Sequence, residues 1–310
     1  MSAIKIATRQ SYGEALAELG NEFPKMLVLD ADLSAATKTN IFRKKFPERH
    51  INCGIAESNM MGAAAGLATE GFIPVVSSFA MFAAGRAWEQ VRSSIAYPRM
   101  NVKICATHGG ITVGEDGASH QCNEDLALMR AIPNMVVVCP SDDVEARAAL
   151  RAALEYDGPV YLRFGRMAVP IINDNPGYRF ELGKGIVLRE GWDVTLAATG
   201  ICAIEALRAA DLLLEKGIRA EVVNFPTIKP FDDALLQASA HKTKRVFSIE
   251  EHSVIGGLGD AVLEALSSDP VPVHRIGIQD EFGHSGSAAE LLRHHGLTAD
   301  RIAETVESHM

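Results

Sequence analysis

The 310-residue chain is 47% hydrophobic and 22% charged, which supports two domains of ordinary size with sizeable cores and excludes a disordered chain. A formal net charge of −9 argues against nucleic acid or an anionic membrane as the main partner, while leaving room for a small basic pocket. Five scattered cysteines without a CxxC pair, an N-terminus with no apolar signal core and no membrane-length apolar run together point to a reducing cytoplasm. In chain order, residues 9–20 carry apolar positions at helical spacing and end at Gly20. MLVLDAD (26–32) is a short apolar run closed by acids, a buried strand, and a polar helix follows over 39–46. HINCGIAESNMMGAAAGLATE (50–70) runs from a short strand through a glycine turn to Glu57, then into a helix. That helix is so rich in Gly and Ala that its near face is expected to press closely on a neighbour. FIPVVSSF (72–79) predicts a strand and 83–95 a helix. NVKICATH (101–108) predicts a strand that opens into the loop GGITVGEDGASHQ. A helix over 123–132, a strand over 135–140 and a helix over 141–155, started by Ser141 with Glu145, come next. PVYLRFG (159–165) completes the first series.

Turn formers Pro170, Asn173, Asp174, Asn175, Pro176 and Gly177 then mark a boundary. The expected division is a first domain over 1–175, a linker over 176–190 and a second domain over 191–310. Strands at 193–200, 220–226, 245–251 and 273–278 alternate there with helices running to Glu215, near 232–239, and after Gly256–Gly259. Alternation of strand and helix throughout predicts an α/β protein of two domains, each a mainly parallel sheet flanked by helices.

In open α/β sheets, ligands sit beyond the carboxyl ends of the strands. Asp30–Asp32, Asn52–Glu57, Ser77–Phe82, His108–His120 and Gly165–Arg166 each follow a predicted strand of the first series, so chemistry is expected there. Glu57 reads either as a carboxylate held by a helix N-terminus or as a buried acid–base group. Phe79 and Phe82 read either as core or as a stacking platform for an aromatic ring. His108 and His120 flank a loop that also holds Glu115 and Asp116. A metal set there lacks a third ligand, so the histidines read as proton handlers, hydroxyl binders or plain surface residues. Arg166, at a strand end after a glycine, suits a bidentate phosphate contact. The Gly256-Gly257-Leu258-Gly259 run lacks the spacing of a phosphate-binding loop and reads as a packing turn. His294 and His295 are adjacent rather than one helical turn apart, which is not a ligand signature.

Taken together, ATRQS (7–11), DADLS (30–34), GIAESNMMGAAAGLA (54–68), SSFAMF (77–82), THGGITVGEDGASHQ (107–121) and GPVYLRFGR (158–166) resemble the C-terminal half of transketolase, as it occurs when that enzyme is split into two subunits. The resemblance covers nearly the whole chain, and GEDG-x-x-HQ is its most specific part. It implies a pyrimidine-binding domain followed by a transketolase C-terminal-like domain, with thiamin diphosphate as cofactor. By motif position, Glu57 is the acid that hydrogen-bonds the aminopyrimidine ring nitrogen and favours the imino tautomer. Phe82 stacks on that ring with Phe79 beside it, and Asp32 and Leu33 border the cofactor. Asp116 and His120 match substrate-hydroxyl contacts, with Glu57 and His120 as the catalytic residues. Arg9, His108 and Arg166 match the group that binds the sugar phosphate.

Two positions depart from the family pattern. Gly85 stands where a tyrosine is expected, and Ala36 where a phosphate-holding serine is expected, with Thr37 or Lys38 as candidate replacements. The Gly-Asp-Gly motif that binds diphosphate and Mg2+ is absent; Glu115-Asp116-Gly117 lies inside the substrate loop instead. The resemblance therefore implies a partner, an N-terminal transketolase subunit holding most of the diphosphate and Mg2+, in a heterotetramer, with no metal ligand in this chain. The implied activity is transfer of a two-carbon ketol unit from a ketose phosphate to an aldose. The alternatives are the β subunit of another thiamin enzyme, similar to deoxyxylulose-phosphate synthase or to 2-oxoacid dehydrogenases, and a non-catalytic α/β binding protein.

Overall fold

Short apolar runs become strands and the periodically apolar stretches between them become helices, in a computed structural model that describes residues 4–310. The first half runs β1 (Lys5–Ala7), α1 (Thr8–Leu19), β2 (Met26–Asp30), α2 (Ser34–Thr37), α3 (Thr39–Lys45), β3 (His50–Asn52), α4 (Glu57–Thr69) and β4 (Ile73–Phe79). It continues with α5 (Trp88–Gln90), β5 (Lys103–Thr107), α6 (Asp125–Arg130), β6 (Val136–Val138), α7 (Asp143–Glu155), β7 (Val160–Phe164) and β8 (Ala168–Pro170). The second half holds β9 (Ile186–Arg189), β10 (Val194–Ala198), α8 (Cys202–Glu215), β11 (Ala220–Asn224), β12 (Thr227–Lys229) and α9 (Asp233–Thr243). It ends with β13 (Val246–Ser253), α10 (Leu258–Ala265), β14 (Val273–Ile278), α11 (Ala288–His294) and α12 (Ala299–Glu307).

A seven-stranded sheet has the order β12-β6-β7-β5-β4-β2-β3, and a five-stranded sheet the order β14-β13-β10-β11-β9. Both are parallel except at one edge, where β12 on β6 and β9 on β11 run antiparallel. Alternate residues of the central strands face opposite layers. Val76 and Ile104 pack with Met60, Met61 and Ala64 of α4, while Val75 and Cys105 pack with Tyr12 and Leu16 of α1 and Leu150 of α7. Burial on both faces explains why these strands read as continuous apolar runs.

Four stretches differ from the sequence reading. Within the expected linker 176–190, Ile186–Arg189 is an edge strand on β11; its three apolar residues follow a run of turn formers and are only half-buried. Within the expected second domain 191–310, Thr227–Lys229 pairs with β6 and covers the edge of the first sheet, so the two halves interlock through main chain. The helix expected over 83–95 starts at Met81 and is wound with wide i→i+5 turns over Met81–Arg86 and Val91–Ala96, on either side of α5. On α4, Ala64 and Ala65 are buried, but Gly62, Ala63 and Gly66 are exposed, and a Cβ on Gly62 or Gly66 would meet nothing within 4 Å. The close packing expected of those three residues is not made within this chain.

Candidate active site

Parallel strands in register bring their carboxyl ends to one edge of the first sheet. Asp30 is opposite Ser77, Phe79 opposite Thr107, and Thr107 opposite Phe164, so the loops after β2, β4, β5 and β7 gather there. The start of α1 is tied to the same edge. Thr8 Oγ1 accepts from the Gly165 N–H at 2.7 Å, and the Arg9 N–H donates to the Gly165 carbonyl at 3.3 Å. Arg9 and Arg166 are thereby neighbours despite their separation in sequence.

His108 follows β5 with a left-handed backbone (φ 60°) and is buried. Its ring stacks on Phe79 with centroids 3.8 Å apart. Nε2 lies 3.0 Å from Arg9 Nη1 and Nδ1 lies 2.8 Å from Thr107 Oγ1. Arginine can only donate, so Nε2 accepts and the ring proton sits on Nδ1, directed at the threonine oxygen. Burial, reinforced by Arg9, Arg166, His120 and Lys38, lowers the His108 pKa to about 3. The ring is neutral at physiological pH. Burial, and then the Arg166 charge, also lowers the pKa of Arg9.

Glu57 is the first residue of α4, and its side chain is only 2% exposed. Both its oxygens accept from Arg86 Nη1, at 3.2 and 3.0 Å. The Arg86 guanidinium lies over the Phe82 ring, 4.5 Å from its centroid. Phe82 is nearly parallel to Phe79 at 5.9 Å, and His120 meets both rings edge-on. A continuous surface therefore runs from Glu57 through Arg86, Phe82 and Phe79 to His108 and Arg9. Sequence reading missed Arg86. Its signal was a cation four residues after Phe82, and the wide turn over Met81–Arg86 is what aims it at Glu57. At Gly85, a Cβ would collide with the Cε methyl of Met81.

The remaining candidates fall at the rim. Arg166 Nη1 donates to the Val113 carbonyl and lies 3.5 Å from Glu115 and 3.9 Å from Asp116, so the substrate loop holds it. His120 Nδ1 is 2.9 Å from Ser119 Oγ. Asp32 has a left-handed backbone and exchanges hydrogen bonds with Asn52, through its N–H at 3.1 Å and its carboxylate at 3.0 Å. The Leu33 N–H donates to Asp30. The Asp32–Asn52 bonds tie the turn after β2 to the turn ahead of α4. At Ala36 the backbone carbonyl accepts from Arg9 Nη1 at 3.0 Å, a contact that holds Arg9 whatever the side chain there. Thr37 is turned inward onto Leu33 and Thr39, whereas Lys38 adds positive charge at His108. Lys38 also has positive φ and packs on Gly13 of α1, where a Cβ would sit 2.6 Å from the Lys38 carbonyl oxygen.

The second half of the chain seats the substrate loop. The Thr112 N–H donates to Glu251 Oε1 at 2.7 Å, and Gln121 Nε2 donates to the His284 carbonyl at 2.9 Å. Beneath it, buried Arg163 donates to Asp125 and to the carbonyls of Cys122 and Glu251. The loop that carries Asp116 and His120 is thus positioned from both sheets.

A flat wall with a buried carboxylate at one end and cations at the other suits a stacked nitrogen heterocycle beside an anionic substrate. Two family models match the chain: the transketolase pyrimidine binding domain over residues 4–171 and the transketolase C-terminal domain over 183–302. A solved chain described as a split gene transketolase, an inactive β4 tetramer, is 54% identical, with a TM-score of 0.91 and 98% of both chains covered. The 6-deoxy-6-sulfo-D-fructose transketolase subunit SqwH of a Clostridium species is 46% identical over 95% of this chain and 91% of that protein. Transketolase of Homo sapiens is 38% identical over 97% of this chain but only 49% of its own length. The chain belongs to the transketolase family and corresponds to its C-terminal part, the pyrimidine-binding domain with the C-terminal domain.

Proposed function

We propose that this chain is the C-terminal, β-type subunit of a two-chain transketolase, which moves a two-carbon ketol unit from a ketose phosphate to an aldose with thiamin diphosphate as cofactor. The observation that carries this reading is the unbroken surface Glu57–Arg86–Phe82–Phe79–His108–Arg9. Arg86 is a planar nitrogen cation that donates to Glu57 while lying on Phe82. A buried carboxylate and an aromatic face that accept such a group together fit an aminopyrimidine. When bound, thiamin diphosphate supplies a nucleophilic carbon and an electron sink for the transferred fragment.

The chain's own residues then have distinct tasks. Glu57 holds a proton on the pyrimidine ring nitrogen, and its burial keeps water from competing for that bond. Phe82 and Phe79 orient the ring, with Asp32 and Leu33 at its border. Arg9, Arg166 and Lys38 form the cationic end for the anionic group of the sugar, a phosphate or, as in the name of the Clostridium relative, a sulfonate. His108, neutral and fixed by Arg9 and Thr107, offers shape and hydrogen bonding rather than charge. Asp116 and His120 receive substrate hydroxyls, and His120 handles protons beside the wall. Diphosphate and Mg2+ fall mainly to an N-terminal partner subunit, because this sequence has no Gly-Asp-Gly motif. The pairing of two β chains with two such partners follows the tetrameric habit of the split relative. No helix among the described residues is long and apolar enough to cross a membrane, and the five free cysteines suit a reducing cytoplasm.

Reconstitution with the N-terminal subunit tests this. Ketol transfer from ketose phosphates, but not release of carbon dioxide from pyruvate, should appear only when both chains are present. Glu57→Gln should assemble normally and lower turnover by about 100- to 10,000-fold. Full turnover by the variant, or by this chain alone with thiamin diphosphate and Mg2+, defeats the reading.

A further inference from the structure

Three histidines converge in the C-terminal half, away from the site above. His294 ends α11, His295 follows it, and His284 comes from the loop ahead of that helix. One ring nitrogen from each lies within 4.8 Å of the others. The ring centroids are 4.6, 5.5 and 4.8 Å apart. Sequence spacing dismissed the adjacent pair, because the third member is ten residues upstream and is delivered by the fold.

His295 makes the cluster a built site. Its side chain is shielded from solvent, and its Nε2 has no hydrogen-bond partner. Its Nδ1 faces the Glu281 carboxylate at 3.1 Å. A buried imidazole nitrogen without a hydrogen-bond partner, beside two further imidazoles, is a donor that an ion can use. His284 and His294 are exposed, so they can turn toward a common centre and leave an entry path. Tetrahedral coordination with bonds of about 2.0–2.1 Å needs only a modest contraction of the nitrogens.

We propose that His284, His294 and His295 bind one transition-metal ion, Zn2+ foremost, with Glu281 orienting His295 through its Nδ1. Three imidazoles select a borderline metal over Mg2+ and Ca2+, which prefer oxygen donors. The site is therefore independent of the Mg2+ that accompanies thiamin diphosphate. Its position also gives it a reach. The His284 carbonyl accepts from Gln121, whose amide also holds the Ile111 and Gly114 carbonyls of the substrate loop. A metal that pins His284 to the end of α11 braces the loop that carries Asp116 and His120.

The test uses the full chain, freed of metal and titrated with Zn2+ against a chromophoric chelator, with Co2+ as a spectroscopic probe. One tight site per chain and a tetrahedral Co2+ spectrum are expected, and Mg2+ should not compete. Both signals should weaken by roughly tenfold or more in the doubly substituted H284A/H294A chain, whose changes are confined to exposed side chains. Zn2+ should slow amide exchange over residues 111–121 in the unsubstituted chain and not in the double variant. Equal affinity in the two chains, or an octahedral Co2+ spectrum, overturns the site. Tight binding without added protection over 111–121 overturns the bracing.

Discussion

Glu57 can serve a cofactor only if its bond to Arg86 opens, which makes Arg86→Ala an informative change. Removing one partner of a fully buried ion pair costs about 3–5 kcal/mol, because a charge is left without compensation. Here the arginine side chain is 51% exposed, so water replaces it and the loss falls to about 1–2 kcal/mol. The N-terminus of α4 acts on the carboxylate with or without Arg86 and so leaves that loss, at its lower end about 1 kcal/mol, unchanged. Urea unfolding of the isolated chain reads this directly. In the reconstituted enzyme the sign reverses. A cofactor that takes the place of Arg86 no longer has to displace it, so about 1 kcal/mol returns as a roughly fivefold lower half-saturating concentration of thiamin diphosphate. An isolated chain of unchanged stability, combined with a tenfold higher half-saturating concentration, would refute the reasoning. Arg86 would then be a ligand of the bound molecules and not an occupant of their place.

Two stability experiments probe the framework. Glu250 is 1% exposed and accepts from the Leu258 and Gly259 N–H groups at 2.6 and 2.7 Å; burial dominates and raises its pKa from 4.5 to about 7. Since the folded value is the higher one, the associated stability is fully present below about pH 4.5 and is lost as the pH rises through about 7, by roughly 3 kcal/mol at most. Glu250→Gln should flatten the fall of the urea midpoint across that window, and parallel curves for the two proteins would exclude Glu250 as its source. Gly13→Ala gains about 1 kcal/mol of helix propensity but drives a methyl into the Lys38 backbone, at 2.6 Å from its carbonyl oxygen. A net loss of about 1–3 kcal/mol is expected by urea unfolding, and a stabilised variant would mean that the corner between α2 and α3 yields freely.

The parts of this molecule that were legible in the sequence are those written in local pattern. Buried parallel strands showed as apolar runs, and the polar residues after them marked one sheet edge, so Glu57, Phe79, Phe82, His108 and Arg166 could be gathered before any coordinates. Tertiary context decided the rest. Arg86 reaches Glu57 because the helix after β4 is wound with wide turns, which shift its faces away from the usual period. Ile186–Arg189 and Thr227–Lys229 are edge strands of four and three residues, too short to be told from the loops around them. The Ala36 carbonyl that holds Arg9 and the Met81 tail packed on Gly85 are contacts that no side-chain motif records. His284 joins His294 and His295 only through the fold.

The proposed partner also accounts for a face that this chain leaves bare. α4 presents Met60, Met61 and Ala64 to the core, and Glu57 starts the same helix. Its opposite side offers Gly62, Ala63 and Gly66, with Ile55 78% exposed at the preceding turn and Tyr97 84% exposed at the end of the helical stretch after α5. Small residues permit close backbone approach, and large apolar residues beside them are costly to leave in water. A second chain seated on this side would bury Ile55 and fix the start of α4. It would thereby close water away from the carboxylate on which the proposed chemistry depends. On this view the bare helix face and the missing diphosphate motif are two consequences of one division of labour, in which this chain carries the acid and the aromatic wall and its partner carries the metal and the diphosphate.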